Sequence, residues 1–272
     1  MSFPPPPRTD FEVDIGAAEI EFYAENGYLV CSQMTTPEEL AWLIGVYDAL
    51  ITAPRSGYLD TVFDVAKPYG STEPPKLGQL LFPERFVPAI RETAMWRNAK
   101  RIATRLLDVP EAEVEHWGHI LYKEGDGGNE TPWHQDEAYW DVDLSYHAIG
   151  AWMPLQDVDV DNGCLWFLPG SHRGDVLPHR HLGDDPAVHV LELVEPIDTA
   201  GAVPVPLRAG EMSFHHPRVL HYARPNTSGR VRRAWANEFQ TAPIKLDRPA
   251  NRPWVTEGKA ALARALAERQ PR

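Results

Sequence analysis

The chain of 272 residues is long enough for one barrel or jelly-roll domain with added helices, and its 43% hydrophobic content supplies a core, which excludes a wholly disordered protein. The 26 Lys and Arg residues against 39 Asp and Glu residues give a net charge of −13, which argues against binding to nucleic acid or to an anionic membrane. No apolar run approaches the roughly 18 residues that cross a bilayer, and Cys31 and Cys164 are too few for a disulfide framework, so we expect a soluble protein of a reducing, cytoplasmic setting.

Composition divides the chain into an arm and one domain. The proline run near the N-terminus predicts a disordered arm over residues 1–10, ahead of a single domain over 11–272. Within that domain we expect mainly helices and a lid loop in residues 11–112, a jelly-roll core in 113–241, and a tail with a weak helix in 242–272.

Two helices are predicted ahead of the β-rich part. Thr36 can cap a helix that has a proline at its first position and Glu39 to complete a capping box, and apolar residues then recur every three or four positions as far as residue 51. A second helix is predicted over residues 88–107. The segment 53–79 between them is rich in Pro, Gly and Tyr and lacks periodicity, which is typical of a lid loop.

After residue 113 the residue pattern changes to short β-rich stretches separated by turn residues, which indicates a sandwich or a closed barrel. The sequence Asp161-Asn162-Gly163 is a hairpin signal between two of these stretches. We therefore predict a mainly β protein with flanking helices. The predicted strands are 114–123, 145–158, 165–168, 188–194, 211–216, 219–223 and 231–241.

The segment 133–136, Trp-His-Gln-Asp, carries the first candidate ligands. Side chains alternate along an extended strand, so His134 and Asp136 point to one face while Gln135 points away. An imidazole and a carboxylate on one face can begin a metal site, although a lone His-x-Asp is usually a solvated surface pair. A third ligand must come from elsewhere in the chain.

The third ligand is expected among the histidines of segment 210–221. Two histidines and one carboxylate form the facial triad that binds non-haem Fe(II) and leaves positions open for a co-substrate and O₂. His221 lies in a β-like run, whereas His216 precedes a proline that cannot donate to a sheet, so packing or support of the ligands is the expected role of His215 and His216. The predicted catalytic metal ligands are His134, Asp136 and His221.

A basic cluster, Arg230, Arg232 and Arg233, follows the turn after His221. If the strands that carry His221 and this cluster pair as a hairpin, one guanidinium can point into the cavity beside the metal and bind a carboxylate through two hydrogen bonds. An even-residue loop would place Arg232 on the His221 face, and an odd one would place Arg233 there. Spacing alone leaves both open.

With these residues the chain resembles the phytanoyl-CoA dioxygenase-like group of Fe(II)/2-oxoglutarate oxygenases. The resemblance spans roughly residues 15–240 and rests on three ordered motifs, which are more specific together than any one of them. It implies a double-stranded β-helix, jelly-roll or cupin-like, that binds Fe(II), 2-oxoglutarate and O₂. It also implies that Arg232 pairs with the distal carboxylate of 2-oxoglutarate. The motifs are Trp-His-Gln-Asp at 133–136, Asn-Gly-Cys-Leu at 162–165 leading to Leu-Pro-Gly-Ser-His at 168–172, and His221 followed by Asn226, Ser228 and Arg232.

The resemblance extends to other co-substrate contacts. Trp152 matches a tryptophan that lines the 2-oxoglutarate site, with strand packing as the alternative. His119 and Lys76 lie where further co-substrate contacts are expected. Ala223, two residues after His221, departs from the pattern, because relatives often have a hydroxyl residue there that helps bind the oxoacid. One hydrogen bond is therefore missing or is supplied by another group.

The implied activity is oxidation of a small-molecule metabolite coupled to decarboxylation of 2-oxoglutarate to succinate and CO₂, as in a tailoring oxygenase of secondary metabolism. Asp136 favours a hydroxylase over a halogenase, because halogenating relatives replace this carboxylate with a small residue. The net charge of −13 disfavours a coenzyme A thioester as substrate. An aromatic wall around an apolar, polycyclic or cationic substrate is expected, with core packing as the alternative. Its residues are Tyr139, Trp140 and, from the lid, Tyr58 and Phe63.

Two other functions remain open. A jelly-roll module could bind a metal or a small ligand without turning it over, and a zinc hydrolase could use the same three ligands. The predicted partner is a small molecule in each case, and the oligomeric state is left open.

Overall fold

A computed structural model describes residues 3–53, 62–127 and 130–268 of the chain. The helices are α1 (Ala17–Asn26), α2 (Pro37–Thr52), α3 (Ala94–Leu107) and α4 (Pro253–Glu268). The strands are β1 (Tyr28–Cys31), β2 (Phe63–Asp64), β3 (Leu77–Leu81), β4 (Glu115–Lys123), β5 (Thr131–His134), β6 (Leu144–Ser145), β7 (Ala148–Pro154), β8 (Leu165–Phe167), β9 (His179–His181), β10 (Leu191–Leu193), β11 (Val203–Val205), β12 (Met212–His215), β13 (His221–Ala223), β14 (Arg232–Gln240) and β15 (Ile244–Lys245).

Two antiparallel sheets face each other and form the predicted jelly roll. The large sheet has seven strands in the order β1-β12-β7-β14-β4-β3-β2, and the small sheet has four in the order β11-β8-β13-β5. Two-stranded ribbons, β9 with β10 and β6 with β15, lie outside these sheets. Among the described residues, no helix combines the length and apolar character needed to cross a membrane.

Side-chain alternation along β14 separates two cores. Trp235 and Phe239 point to the outer face of the large sheet, where they pack in the cluster that includes residues of α2 and α3. Ala234 and Ala236 point inward and pack in a second cluster between the two sheets. Because these inward residues are small, space remains between the sheets for a cavity.

The N-terminal part differs from prediction in several places. The 36–51 helix is confirmed as α2, with the Thr36 side chain capping it, but the 88–107 helix is interrupted at Thr93, which ends a short 3₁₀ helix and caps α3. The segment expected to be a lid loop contains β2 and the start of β3. The proline segment expected to be a disordered arm lies on α2, where Trp42 Nε1 donates to the carbonyl oxygen of Pro4 at 2.9 Å. The sequence patterns did not predict α1 or β1.

The hairpin predicted at Asp161-Asn162-Gly163 is wrong. This turn connects β7 of the large sheet to β8 of the small sheet, so the flanking strands do not pair with each other. The Asn162 side chain stabilises the turn, because it accepts from the Asp159 amide at 2.9 Å and donates to the Asp157 carbonyl at 3.0 Å. Asn-Gly therefore marks a crossing between sheets here.

Glu39 links α2 to α3 and does not close the predicted capping box of α2. Its buried carboxylate accepts from the Thr35 hydroxyl and from the backbone amides of Ala94 and Met95, at 2.8 and 3.0 Å. These amides belong to the first turn of α3, where helix N–H groups lack partners within the helix. One carboxylate thus fixes α3 against α2.

We expect Glu39→Ala to lower the free energy of unfolding by about 2–4 kcal/mol, because two buried amides and a hydroxyl lose a charged partner. Exposed Glu38 is the matched control, and Glu38→Ala should cost at most about 1 kcal/mol. Urea denaturation followed by circular dichroism measures both values. Equal losses in the two variants would contradict this role of Glu39.

Candidate functional site

Strand pairing in the small sheet brings the predicted metal ligands together. His134 ends β5, His221 begins β13, and the two residues are direct partners in the antiparallel register. Asp136 follows β5 at the start of a 3₁₀ turn. The three residues each offer one ligand atom, and these atoms all lie within 4.8 Å of one another.

Backbone carbonyl groups orient both imidazoles. Nδ1 of His134 donates to the Pro132 carbonyl at 2.8 Å, and Nδ1 of His221 donates to the Val219 carbonyl at 3.1 Å. Nε2 of each ring therefore carries the free lone pair, and it faces Asp136 Oδ1 at 3.7 and 3.4 Å. Burial lowers the pKa of His134 to about 3 and also lowers the pKa of His221, so both rings are neutral at neutral pH, as a metal ligand must be.

His215 supports the carboxylate ligand. Its Nε2 donates to Asp136 Oδ2 at 2.9 Å, which leaves Oδ1 facing the two other ligands. Burial alone would raise the pKa of Asp136, but the neighbouring His221 and His215 hold it below its ordinary value. Gly150 makes room for this arrangement, since a Cβ there would lie 2.5 Å from His215 Nε2. His216, by contrast, accepts from the Arg218 amide through Nδ1 and does not line the cavity.

The two sheets enclose a cavity of about 240 Å³ with the triad at one side. Arg232 and Trp152 line it, with the Arg232 guanidinium 5.2 Å from the Trp152 ring centroid. Arg232 is buried, Nη1 donates to the Gly163 carbonyl at 3.3 Å, and Nε has no hydrogen-bond partner. Burial lowers the pKa of Arg232 to about 10, so it stays charged at neutral pH.

The hairpin premise for the arginine cluster is wrong, because β13 and β14 belong to different sheets. Arg232 reaches the cavity from the large sheet, on the inward-facing side of β14. Arg233 points to the opposite face and pairs with Asp48 at 3.1 Å. Strand alternation, and not the parity of a loop, separates the two arginines.

Lys123 lies behind the arginine and was not singled out from the sequence. It is the β4 partner of Arg232, and its buried Nζ donates to the carbonyls of Ala223 and Arg224 at 3.1 and 2.9 Å. Burial lowers its pKa, and the charge of Arg232 lowers it further. The sequence signal that could have identified Lys123 is a lysine at the end of β4, at a position that alternation turns inward. Arg232 thus supplies the positive charge at this end of the cavity.

The remaining predicted site residues have different positions. His119, Tyr139 and Trp140 line the cavity. Phe63 instead packs in an apolar cluster with Val65 and Val190, and its ring stands edge-on to His189.

Lys76 pairs with Asp126 at 2.6 Å and is not among the residues that line the cavity, in contrast to its expected co-substrate contact. Its ammonium is half-exposed beyond the ends of β3 and β4. Tyr58 lies outside the described residues.

The chain matches one protein-family model and several curated relatives. The family model for phytanoyl-CoA dioxygenase matches residues 23–234. Phytanoyl-CoA dioxygenase domain-containing protein 1 of Bos taurus is 33% identical over 135 residues, which are 48% of this chain and 46% of that protein. Peroxisomal phytanoyl-CoA dioxygenase of Bos taurus is 30% identical over 128 residues, or 45% of this chain and 38% of that protein. The chain thus spans less than half the length of these curated relatives.

Solved structures share the fold over most of the chain. The crystal structure of EvdO2 from Micromonospora carbonacea var. aurantiaca, complexed with 2-oxoglutarate, has a TM-score of 0.79 at 34% identity and covers 90% of this chain and 99% of that one. The epimerase SnoN, in complex with Fe³⁺, alpha ketoglutarate and nogalamycin RO, has a TM-score of 0.66 at 23% identity and covers 88% of each chain, which is a likeness of fold alone.

We expect His215→Ala to weaken Fe(II) binding by about 10- to 100-fold, because Asp136 loses the hydrogen bond that aims it. Alanine at any of the three ligands should remove measurable binding. Anaerobic isothermal titration with Fe(II) measures these affinities. His216→Ala is the control and should bind as the parent chain does; an unchanged affinity in His215→Ala would contradict the supporting role.

Proposed function

The chain belongs to the phytanoyl-CoA dioxygenase family, and from this membership we propose that it is an Fe(II)/2-oxoglutarate-dependent hydroxylase of a small-molecule metabolite. Oxygenases that depend on Fe(II) and 2-oxoglutarate are the broad class to which the family and the similar solved structures point. The hydroxylation and the metabolite substrate are the parts that we add.

One observation carries the proposal. A buried guanidinium without a carboxylate partner lies in the same cavity as a His-Asp-His cluster. A buried charge costs stability unless it is paired, so Arg232 fits a ligand that brings its own carboxylate. A dianion that chelates the metal at one end and meets Arg232 at the other, as 2-oxoglutarate can, satisfies both features.

The donor set fits a ferrous ion. Two neutral imidazole nitrogens and one carboxylate form the facial triad, and His134, Asp136 and His221 would hold the metal. When bound with 2-oxoglutarate and O₂, that centre supplies the oxidising power that attacks a C–H bond, with succinate and CO₂ as co-products.

The residues of the chain do the positioning. His215 aims the carboxylate, and the carbonyls of Pro132 and Val219 fix the imidazoles, so the ligands need little reorganisation when the metal binds. Arg232 orients the co-substrate, and the apolar packing between the sheets keeps bulk water away from the centre. Asp136 fills the ligand position that halogenation would need open, which supports hydroxylation.

The other two functions lack comparable support. A zinc hydrolase uses three ligands and a water, and a simple metal-binding module uses the ligands alone. Neither requires an unpaired arginine buried beside the site at the expense of stability. Dependence on 2-oxoglutarate therefore separates our proposal from both.

Thr131 is our candidate for the hydroxyl that Ala223 lacks. Ala223 pairs with Thr131 across β13 and β5, and both residues line the cavity. Thr131 lies three residues before His134, so regular alternation would turn it outward. A β-bulge between the His221–His134 and Ala223–Thr131 pairs turns it inward instead.

The position of Thr131 suits the arginine end of the cavity. Lys123, the strand partner of Arg232, donates to the carbonyl of Ala223, which joins the two sheets beside this pair. The Thr131 hydroxyl makes no hydrogen bond within the described residues, so it can donate to a bound carboxylate. We infer that Thr131 supplies this hydroxyl from the strand that pairs with the Ala223 strand, within the same co-substrate site.

Arg232→Ala should raise the 2-oxoglutarate concentration for half-maximal succinate release by about 30-fold or more, because a charge-assisted pair is lost. Arg233→Ala, which alters the adjacent residue on the outer face, should change it less than about twofold. The assay follows succinate formation with Fe(II), ascorbate and O₂. An unaltered requirement in Arg232→Ala would refute the anchor, and activity with Zn(II) in place of Fe(II), without 2-oxoglutarate, would favour the hydrolase.

Thr131→Val should weaken 2-oxoglutarate binding by about 10-fold, since valine keeps the shape and removes one hydrogen bond to a charged group. Thr131→Ser should bind as the parent does. Adding Ala223→Ser to the valine variant should restore affinity, because the hydroxyl returns to the opposite strand of the same pair. Calorimetric titration of the metal-loaded protein under argon measures all four chains; equal affinity in Thr131→Val and the parent would contradict the assignment.

A further inference from the structure

We propose that Glu238 is a substrate-recognition group and that the substrate carries a hydrogen-bond donor, a hydroxyl or an amine, close to the carbon that is oxidised. This inference rests on the proposed function, because it assigns the part of the cavity that the metal and 2-oxoglutarate leave for the substrate. Glu238 lines the cavity and has no part in the metal centre or in the arginine anchor.

Glu238 lies at the metal end of the inward face of β14. Arg232, Ala234, Ala236 and Glu238 alternate on this face, so about 20 Å of strand separates the arginine from the glutamate. The two alanines between them keep the cavity open along the strand. The inward face of one strand thus carries a cation at the co-substrate end and an acid at the other.

Strand register places Glu238 in the same row across the large sheet as His215, the residue that donates to Asp136. Glu238 pairs with Gly150 on β7, and Gly150 pairs with His215 on β12. His215 in turn donates to Asp136. Two strand spacings, or about 10 Å, separate the backbones of Glu238 and His215, which leaves room for a small substrate group between the glutamate side chain and the metal.

The carboxyl group of Glu238 is unsatisfied within the protein. It makes no ion pair and no hydrogen bond within the described residues. Two buried carboxylates elsewhere in the chain are fully paired: Glu39 accepts from a hydroxyl and two amides, and Glu137 pairs with Arg218 and Arg252 at 2.6 Å each. Burial, followed by the charge of Asp136, raises the pKa of Glu238 well above its ordinary range. A donor on a ligand would supply the missing partner.

The surroundings of Glu238 define the ligand class more closely. His119 and His189 also line the cavity, and burial lowers the pKa of each to about 4, so both present neutral rings. Leu77 and Val190 add apolar surface. Arg232 is the one arginine or lysine among the described lining residues, and it lies at the far end of the cavity. The metal end of this cavity therefore suits a neutral or cationic molecule with donors and disfavours an anionic substrate.

Three ring compounds of similar size test the proposal: cyclohexanol, cyclohexylamine and methylcyclohexane. Each is titrated into protein loaded with Zn(II) and 2-oxoglutarate, and binding is followed by ligand-observed NMR. The parent chain should bind the alcohol or the amine at least 10-fold more tightly than the hydrocarbon, and Glu238→Leu should remove that preference. Glu115→Leu, an exposed site on β4, is the matched control and should keep it.

A second variant separates the two donor classes and covers the case in which Glu238→Leu does not fold. Glu238→Gln keeps the shape and the hydrogen bonding but cannot ionise to pair with an ammonium group, so it should retain the preference for cyclohexanol and lose that for cyclohexylamine. Tightest binding of the hydrocarbon, binding of neither donor probe, or an unchanged pattern in both Glu238 variants would overturn the proposal. Failure of the parent chain to bind 2-oxoglutarate would instead refute the proposed function.

Discussion

The antiparallel pairing of β5 with β13 is the constraint on which the rest of the site depends. It sets His134 beside His221, although His221 follows His134 by 87 positions in the chain. The turn that brings Asp136 back to these rings is held by Gln135, the residue between the ligands. Its side chain accepts from the Leu177 amide at 2.8 Å and donates to the Arg218 carbonyl at 2.7 Å. The side chain of Gln135, which points away from the candidate metal site, thus fixes the two candidate ligands on either side of it.

Much of the candidate site could be predicted from the sequence because the patterns that mark it involve residues close together in the chain. Gln135 has extended φ and ψ angles of −126° and 131°, so the side-chain alternation that grouped His134 with Asp136 continues past the end of β5. The distinction between His221 and His216 also rested on a local property, since the proline that follows His216 cannot donate a hydrogen bond to a sheet. Jelly-roll architecture followed from short strands and frequent turn residues. These signals need no knowledge of which strands pair.

Features that depend on strand pairing could not be predicted. Spacing could not choose between Arg232 and Arg233, because their strand pairs with β4 and β7 and not with β13. Thr131 is three residues from a ligand, and alternation alone would assign it to the outside; a bulge, which shows only in the register, reverses that. Glu238 gave no signal either, since a glutamate in an alternating strand is ordinarily solvated. The family resemblance selected Arg232, and the structure shows that Arg232 lines the cavity whereas Arg233 pairs with Asp48 on the other face.

The residues of the candidate site are divided between the two sheets. The three candidate metal ligands come from the small sheet and the turn that follows β5, whereas Arg232, Trp152 and His215 come from the large sheet. Under our proposal, a co-substrate held by the metal and by Arg232 would therefore join the sheets across a cavity that small inward residues leave open. Within the described protein that junction is made by weaker means, such as the Lys123 contacts with β13 and the hydrogen bond of His215 to Asp136. Because Glu238 and Gly150 lie on the same sheet as Arg232, a co-substrate that bridges the two sheets would, under our proposal, help to hold this substrate-facing row opposite the metal ligands.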